Sequence, residues 1–331
     1  MSVGKTEFEL IDLFTHALPL RGEGVVVGPG DDAAVLRLAP GEDLVATVDA
    51  VVEGVHFGRG FAPADVGWKA LAVNLSDLAA MGARPLYALV ALGLPAGTPL
   101  GTVKGIARGL GACARANATT VVGGNVSRAR ELSVTVTALG AVPRGRAVLR
   151  AGAQPGDLVA LTGTVGDAAL GLRPRAPAAL VRRQRRPTPR LAAGRALAGL
   201  VRAAVDVSDG LAQDLGHLCR ASGVGARIGL PELPLSPAYR RMARRLADPW
   251  APALGGGEDY ELVLAIPPAS LARAHAAALR ARTPLTVIGR FVRGGGVRVV
   301  GARGEPAAVP PGHDHLRAPA GRRLGRKPSQ V

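Results

Sequence analysis

The sequence predicts an α/β (α+β) protein built from two domains. Its 331 residues exceed the roughly 100–200 of an ordinary domain. Apolar residues make up 48% and charged residues 20%, a balance that excludes a disordered or collagen-like chain. Segments with strand alternation and segments with helical period alternate along the chain, and turn residues cluster near its middle.

Val25 to Val27 forms a short apolar strand. Ala34 to Leu38 and Leu44 to Asp49 are two more, and the Ala39-Pro40-Gly41-Glu42-Asp43 link between them is a hairpin signal. Pro63 to Met81 is a helix, with proline in its first turn and an apolar stripe of Leu71, Leu75, Leu78 and Ala79. A strand over Leu89–Leu94 and a helix over Thr102–Ala116 follow. Thr119 to Val122 and Leu132 to Val142 are strands, the second with Leu132, Val134, Val136 and Ala138 on one face. Pro143 to Arg146 and Gly152 to Gly156 are turn-rich and put a boundary near residue 150. This divides the chain into residues 1–148, 149–318 and a basic tail, 319–331. In the second half we expect strands at 158–161, 203–207, 261–266, 285–289 and 297–300 and a helix over Gly210–Ala221. Arg182 to Pro189 reads as a basic, proline-broken connector.

The formal charge is +16, from 41 basic and 25 acidic residues. Nucleic acid is the first partner such a charge suggests. Aromatic residues are only 3%, too few for a base-stacking platform. Lysine occurs four times, at Lys5, Lys69, Lys104 and Lys327, so the charge is nearly all arginine in an Ala-, Gly- and Pro-rich chain. That profile is a coding bias rather than a ligand signature, and no nucleic-acid partner is expected. No apolar run approaches the ~18 residues of a membrane span. The opening MSVGKTEFELID carries acids where an export signal needs an apolar run, and Cys113 and Cys219 have no metal spacing. A reduced, cytoplasmic protein fits.

Two phosphate-binding look-alikes fail. The strand leading into Gly28-Pro29-Gly30 imitates a dinucleotide fingerprint with Asp49 as its distant acid. The interval holds Pro40, Gly41 and a strand, leaving no room for the crossover helix. Gly4-Lys5-Thr6 lacks the strand and glycines that precede a P-loop lysine. Acids at loop and helix mouths are more informative. Asp31 and Asp32 sit in the glycine-rich turn, and Asp49 ends a strand with His56 beyond it. Asn74 and Asp77 share a helix face among Ala, Leu and Met. Gly123-Gly124-Asn125 follows a strand and can form a backbone nest. Asp206 ends a strand, while Ser208 or Asp209 can cap the next helix. Gly255 to Gly257 precede Glu258 and Asp259, too acidic a loop to bind an anion alone. Carboxylates gathered this way in a basic chain point to several Mg²⁺ ions holding phosphates.

Six motifs stand in order: GPGDDAAVL, TVDAVVEGVHF, KALAVNLSDLAAMGA, GRAVLRAGAQPGD, DVSDGLAQDLGHL and GGEDYEL. Over roughly residues 5–317 the chain resembles the thiamine-monophosphate kinase family, of the superfamily shared with aminoimidazole ribonucleotide synthetase and selenophosphate synthetase. The resemblance implies the two-domain aminoimidazole ribonucleotide synthetase-like fold, with a mixed-sheet N-terminal domain that dimerises and an α/β C-terminal domain completing the site. It implies ATP-dependent, Mg²⁺-supported, in-line phosphorylation of thiamine monophosphate to thiamine diphosphate in a homodimer. By motif, Asp32, Asp49, Asp77, Asp206 and Asp209 become Mg²⁺ ligands with Thr47 beside them. Gly124, Asn125, Arg150 and Ser208 contact ATP, and His56 and Glu258 contact the thiamine substrate. No general base is called for, because a phosphate monoester with second pKa ≈ 6 is already ionised at neutral pH.

The chain departs from the family pattern in three places. Asn125 stands where an aspartate is usual, which removes a negative charge but keeps a carbonyl oxygen for Mg²⁺. Val48 replaces a hydroxyl residue. His313 replaces an aromatic residue that stacks on the substrate. Another ATP-dependent enzyme of the superfamily is the nearest alternative. Selenophosphate synthetase is disfavoured because residues 1–30 contain no cysteine. A nucleic-acid-binding protein is the remaining alternative and predicts steeply salt-dependent binding.

Overall fold

A computed structural model of the chain describes residues 16–27, 35–58, 60–310 and 312. Two short strands, β1 (Val25–Val27) and β2 (Val35–Leu36), pair antiparallel as a ribbon of their own. The first large sheet holds β3 (Glu42–Val52), β4 (Arg84–Leu94), β5 (Thr120–Arg128) and β6 (Ser133–Pro143) in the order β3-β6-β4-β5. Between β3 and β4 runs α1 (Pro63–Ala80), and between β4 and β5 runs α2 (Leu100–Ala116). Both helices cover one face of the sheet, against Val134, Val136 and Ala138, which are buried as the alternation predicts.

The seven-stranded second sheet has the order β13-β12-β9-β11-β7-β10-β8. Its strands are β7 (Leu158–Thr162), β8 (Ala203–Asp206), β9 (Gly225–Gly229), β10 (Leu262–Ile266), β11 (Leu285–Val292), β12 (Val297–Val300) and β13 (Pro306–Ala307). The helices of this half are α3 (Asp167–Gly171), α4 (Ala178–Arg185), α5 (Leu191–Leu197), α6 (Leu211–Ser222), α7 (Pro237–Ala243), α8 (Ala251–Gly255) and α9 (Leu271–Arg280).

The core ignores the boundary near residue 150. Leu71, Leu75 and Leu78 of α1 belong to the same apolar cluster as Leu158, Ala160, Ala204, Leu262 and Leu264 of the second sheet. Each fully buried leucine contributes about 1.5–3 kcal/mol, so α1 serves both halves. α5 also lies on α1, where a Cβ at Gly194 would collide with the Ala79 carbonyl. A second cluster, with Val159, Leu161, Leu215 and Phe291, fills the far face of the second sheet. The two free cysteines are divided between these clusters: Cys113 in the first, Cys219 in the second.

Three expectations need correction. β2 and β3 do not form a hairpin, because β2 pairs with β1 and β3 pairs along its whole length with β6. The strand expected to stop at Val122 runs on to Arg128, held in register by parallel pairing with β4, so Gly123-Gly124-Asn125 is strand rather than a turn after it. The basic connector is half helix: α4 extends to Arg185, and its Gln184 is buried.

Candidate active site

Four acidic or hydroxyl groups meet where β3, α1 and β8 come together. Thr47 and Asp49 lie opposite Ala138 and Val136 of β6, on the face that α1 covers. The Thr47 hydroxyl donates to Asp77 Oδ2 at 2.6 Å. The Asp49 amide donates to Asn74 Oδ1 at 2.9 Å, while Asn74 Nδ2 returns to the Ala70 carbonyl of its own helix at 2.9 Å. From the other half, Asp206 Oδ2 accepts from the Ser76 hydroxyl at 2.7 Å. Burial raises Asp77 above the ordinary carboxylate range, opposed by the Thr47 hydrogen bond and the charge of Arg150. Burial and then the neighbouring Asp77 push Asp206 well above it. Buried Tyr260 closes the group. Burial, followed by the charges of Glu258, Asp206, Asp49 and Asp77, lifts its phenol well above the usual value.

Next to Asp206, the carboxylate of Asp214 accepts the amides of Ser208, Asp209 and Gly210 at 3.0–3.1 Å. It therefore caps α6 from inside, and neither Ser208 nor Asp209 does so. Burial, then Asp209, moves Asp214 up to about 7 against the pull of those amides. Asp209 takes a 3.2 Å bond from Gln213 Nε2, and its carboxylate faces Asp214 and His217. Burial and then Arg220 and Arg150 lower His217. Arg150 is exposed, on the link between the sheets, and its charge reaches Asp77, Asp206 and His217.

Glu258 and His56 meet through a third residue, Lys69. Its ammonium is 2.5 Å from Glu258 Oε1 and donates to the His56 carbonyl at 3.0 Å. Gln184 Nε2 donates to the other Glu258 oxygen at 3.2 Å. The His56 ring accepts the Val52 amide at Nδ1, 3.1 Å away, so the neutral ring carries its proton on Nε2. Asp259 turns inward and caps α3 through the amides of Gly166 and Ala168. Glu261 is buried under Arg183, Arg190 and the Thr162 hydroxyl. The basic run thus serves as a clamp, since Arg185 and Arg186 pair with Asp65 of α1.

The structure thus brings together Thr47, Asp49, Asp77 and Asp206, with Arg150, Ser208 and Asp209 beside them and Glu258 and His56 joined by Lys69. It leaves Asn125 apart. Gly124 lies opposite Val90, on the Asp49 face, whereas Asn125 lies opposite Ala91 on the reverse face of the sheet. Asp31, Asp32 and His313 lie outside the described residues. Lys69, Ser76, Asp214, Gln184 and Tyr260 were not legible as site residues. Lys69 alone left a trace: it is one of four lysines, set in an otherwise apolar stretch of helix.

Family models for AIR synthase related protein match the chain twice, the N-terminal domain at residues 30–142 and the C-terminal domain at 154–302. Thiamine-monophosphate kinase of Escherichia coli O157:H7 is 38% identical over 325 residues, covering 95% of this chain and 99% of that protein. The chain belongs to the thiamine-monophosphate kinase family. The crystal structure of thiamine-monophosphate kinase from Stenotrophomonas maltophilia K279a superposes with a TM-score of 0.82 at 40% identity, covering 93% of this chain and 99% of that one. AaThiL complexed with AMPPCP and TMP gives 0.76 at 34% identity, covering 94% and 97%.

Proposed function

We propose that this enzyme transfers the γ-phosphoryl group of ATP to thiamine monophosphate, giving thiamine diphosphate. The observation that carries the reading is the convergence of Thr47, Asp49, Asp77 and Asp206 from both halves of the chain. Full-length similarity to thiamine-monophosphate kinases, one of them complexed with AMPPCP and TMP, supports it. The reaction joins two polyanions, so its main obstacle is charge. An all-oxygen donor set, with Asp206 buried and Asp77 half-buried beside it, suits a hard divalent ion. Asp49, Asp77, Asp206 and Asp209 would hold Mg²⁺, with Thr47 orienting Asp77 and Asp32 joining by motif. Bound there, Mg²⁺ supplies neutralisation of phosphate charge. Arg150 adds a positive charge beside the same carboxylates. Gly124, Arg150 and Ser208 are the nucleotide contacts, with Asn125 left out because it lies on the reverse face of its strand, and Glu258, His56 and His313 take the thiamine end. Transfer is direct and in line, since the acceptor phosphate needs no base.

We place the reaction in the cytoplasm, where ATP is available and thiols stay reduced. Among the described residues, no helix is long and apolar enough to cross a membrane. The enzyme works as a homodimer. Leu44, Val48 and Leu89 are exposed on the face of the first sheet opposite its helices, which suits burial against a second copy.

Incubation with ATP, Mg²⁺ and either thiamine monophosphate or free thiamine tests the reaction. Thiamine diphosphate forms from the monophosphate with one ADP per product. Product from free thiamine, or none from the monophosphate, overturns it.

A further inference from the structure

We propose that Lys69 is a positioning residue that fixes Glu258 and His56 for recognition of the cationic thiamine half of the substrate, an inference that rests on the function proposed above. Lys69 comes from the N-terminal half and Glu258 from the C-terminal half. One ammonium joins them, and the same ammonium holds the carbonyl of His56. The lysine side chain is 0% exposed, whereas Glu258 keeps 22%, so the carboxylate faces the site and the lysine stands behind it. Both carboxylate oxygens are engaged, Oε1 by Lys69 and Oε2 by Gln184, which leaves the group one orientation.

The backbone is also under constraint. Glu258 and Tyr260 have φ of 68° and 51°, left-handed values that cost a non-glycine residue on the order of 1 kcal/mol or more. The surrounding contacts must hold that loop in place. The Glu258 amide donates to the Ser208 carbonyl at 2.8 Å, and the Lys69 ion pair secures the side chain. The Phe61 ring lies 5.6 Å from the ammonium, walling the charge off from water.

Steady-state kinetics on the wild type, Lys69→Met, Glu258→Gln and the double variant test the proposal. Wild-type turnover of thiamine monophosphate comes first, and its failure would reject the functional reading rather than the role of Lys69. Lys69→Met raises the KM for thiamine monophosphate by about tenfold or more and leaves the KM for ATP within about twofold. The double variant loses less than the two single losses combined, because Lys69 acts in part through that carboxylate and in part through the His56 carbonyl. An unchanged KM for thiamine monophosphate, equal rises for both substrates, or additive losses would overturn the proposal. If Lys69→Met does not fold, the ¹⁵Nζ resonance of Lys69 in the wild type decides. It shifts when thiamine monophosphate is added and stays put with a non-hydrolysable ATP analogue; a signal indifferent to thiamine monophosphate would reject the assignment.

Discussion

Asp206 carries the heaviest electrostatic load in the site, being buried, next to Asp77, and served by a single hydroxyl. Asp206→Ala removes that load along with the group. Turnover falls by about a thousandfold or more, while stability falls by no more than about 1–3 kcal/mol, the cost of leaving the buried Ser76 hydroxyl without this partner. A variant retaining substantial activity at saturating Mg²⁺ would contradict the role. Asp259 behaves differently. Burial raises it to about 8 against its amide partners and Arg183, so the native state keeps a proton that the unfolded chain releases near pH 4. Its contribution to stability is complete below that pH and disappears as the pH climbs through about 8. Urea melts between pH 5 and 9 should show stability falling with pH. Asp259→Asn should flatten that slope, since an amide at this position does not titrate. The aspartates at strand and helix ends were legible because so many of them gather in glycine-rich surroundings, more than helix capping alone explains. Lys69 and Asp214 were not, because their partners lie on elements whose contacts only the folded chain reveals.

Among the elements, α1 has the most to satisfy. It covers the first sheet, carries Asn74, Ser76 and Asp77 to the site, and packs on α2 through backbone contact. A Cβ at Gly109 of α2 would run into the Ala64 carbonyl at the start of α1. Gly109→Ala should therefore destabilise by about 1–3 kcal/mol through overpacking, despite the better helix propensity of alanine; a denaturant midpoint that rises would refute the close fit. α1 was plain in the sequence from Pro63 and the Leu71, Leu75 and Leu78 stripe. The glycine pair in β5 was misread because glycine weakens strand patterns, and only the pairing of Gly123 and Gly124 with Leu89 and Val90 reveals the strand. The β1–β2 ribbon was misassigned for a related reason: turn residues signal a reversal but do not choose the partner.

At the scale of the whole molecule, the exposed apolar face of the first sheet bears on assembly. Val48 is 59% exposed on the edge strand, away from the site on the other face. If the proposed dimer forms on this face, Val48→Asp should leave each subunit folded and shift the particle from dimer toward monomer in sedimentation. A mass equal to that of the wild type would rule this face out as the interface. The turn clusters near residue 150 fall between the strands of the first sheet and those of the second, but the dependence of both sheets on one core was not legible. Apolar residues of α1 look alike in sequence whether they face one sheet or two, and the cluster joining Leu71 to Leu158 and Leu262 depends on distant pairing.

The two cysteines turn this shared core into a clock. Burial pushes Cys113 up to about 12 and Cys219 up to about 11, so neither is a thiolate while the chain is folded. Each therefore becomes open to iodoacetamide only when its own half comes apart. If α1 binds the halves into one cooperative body, alkylation of both sulfurs will advance together at every concentration of urea, and a lead by either would reveal the half that lets go first.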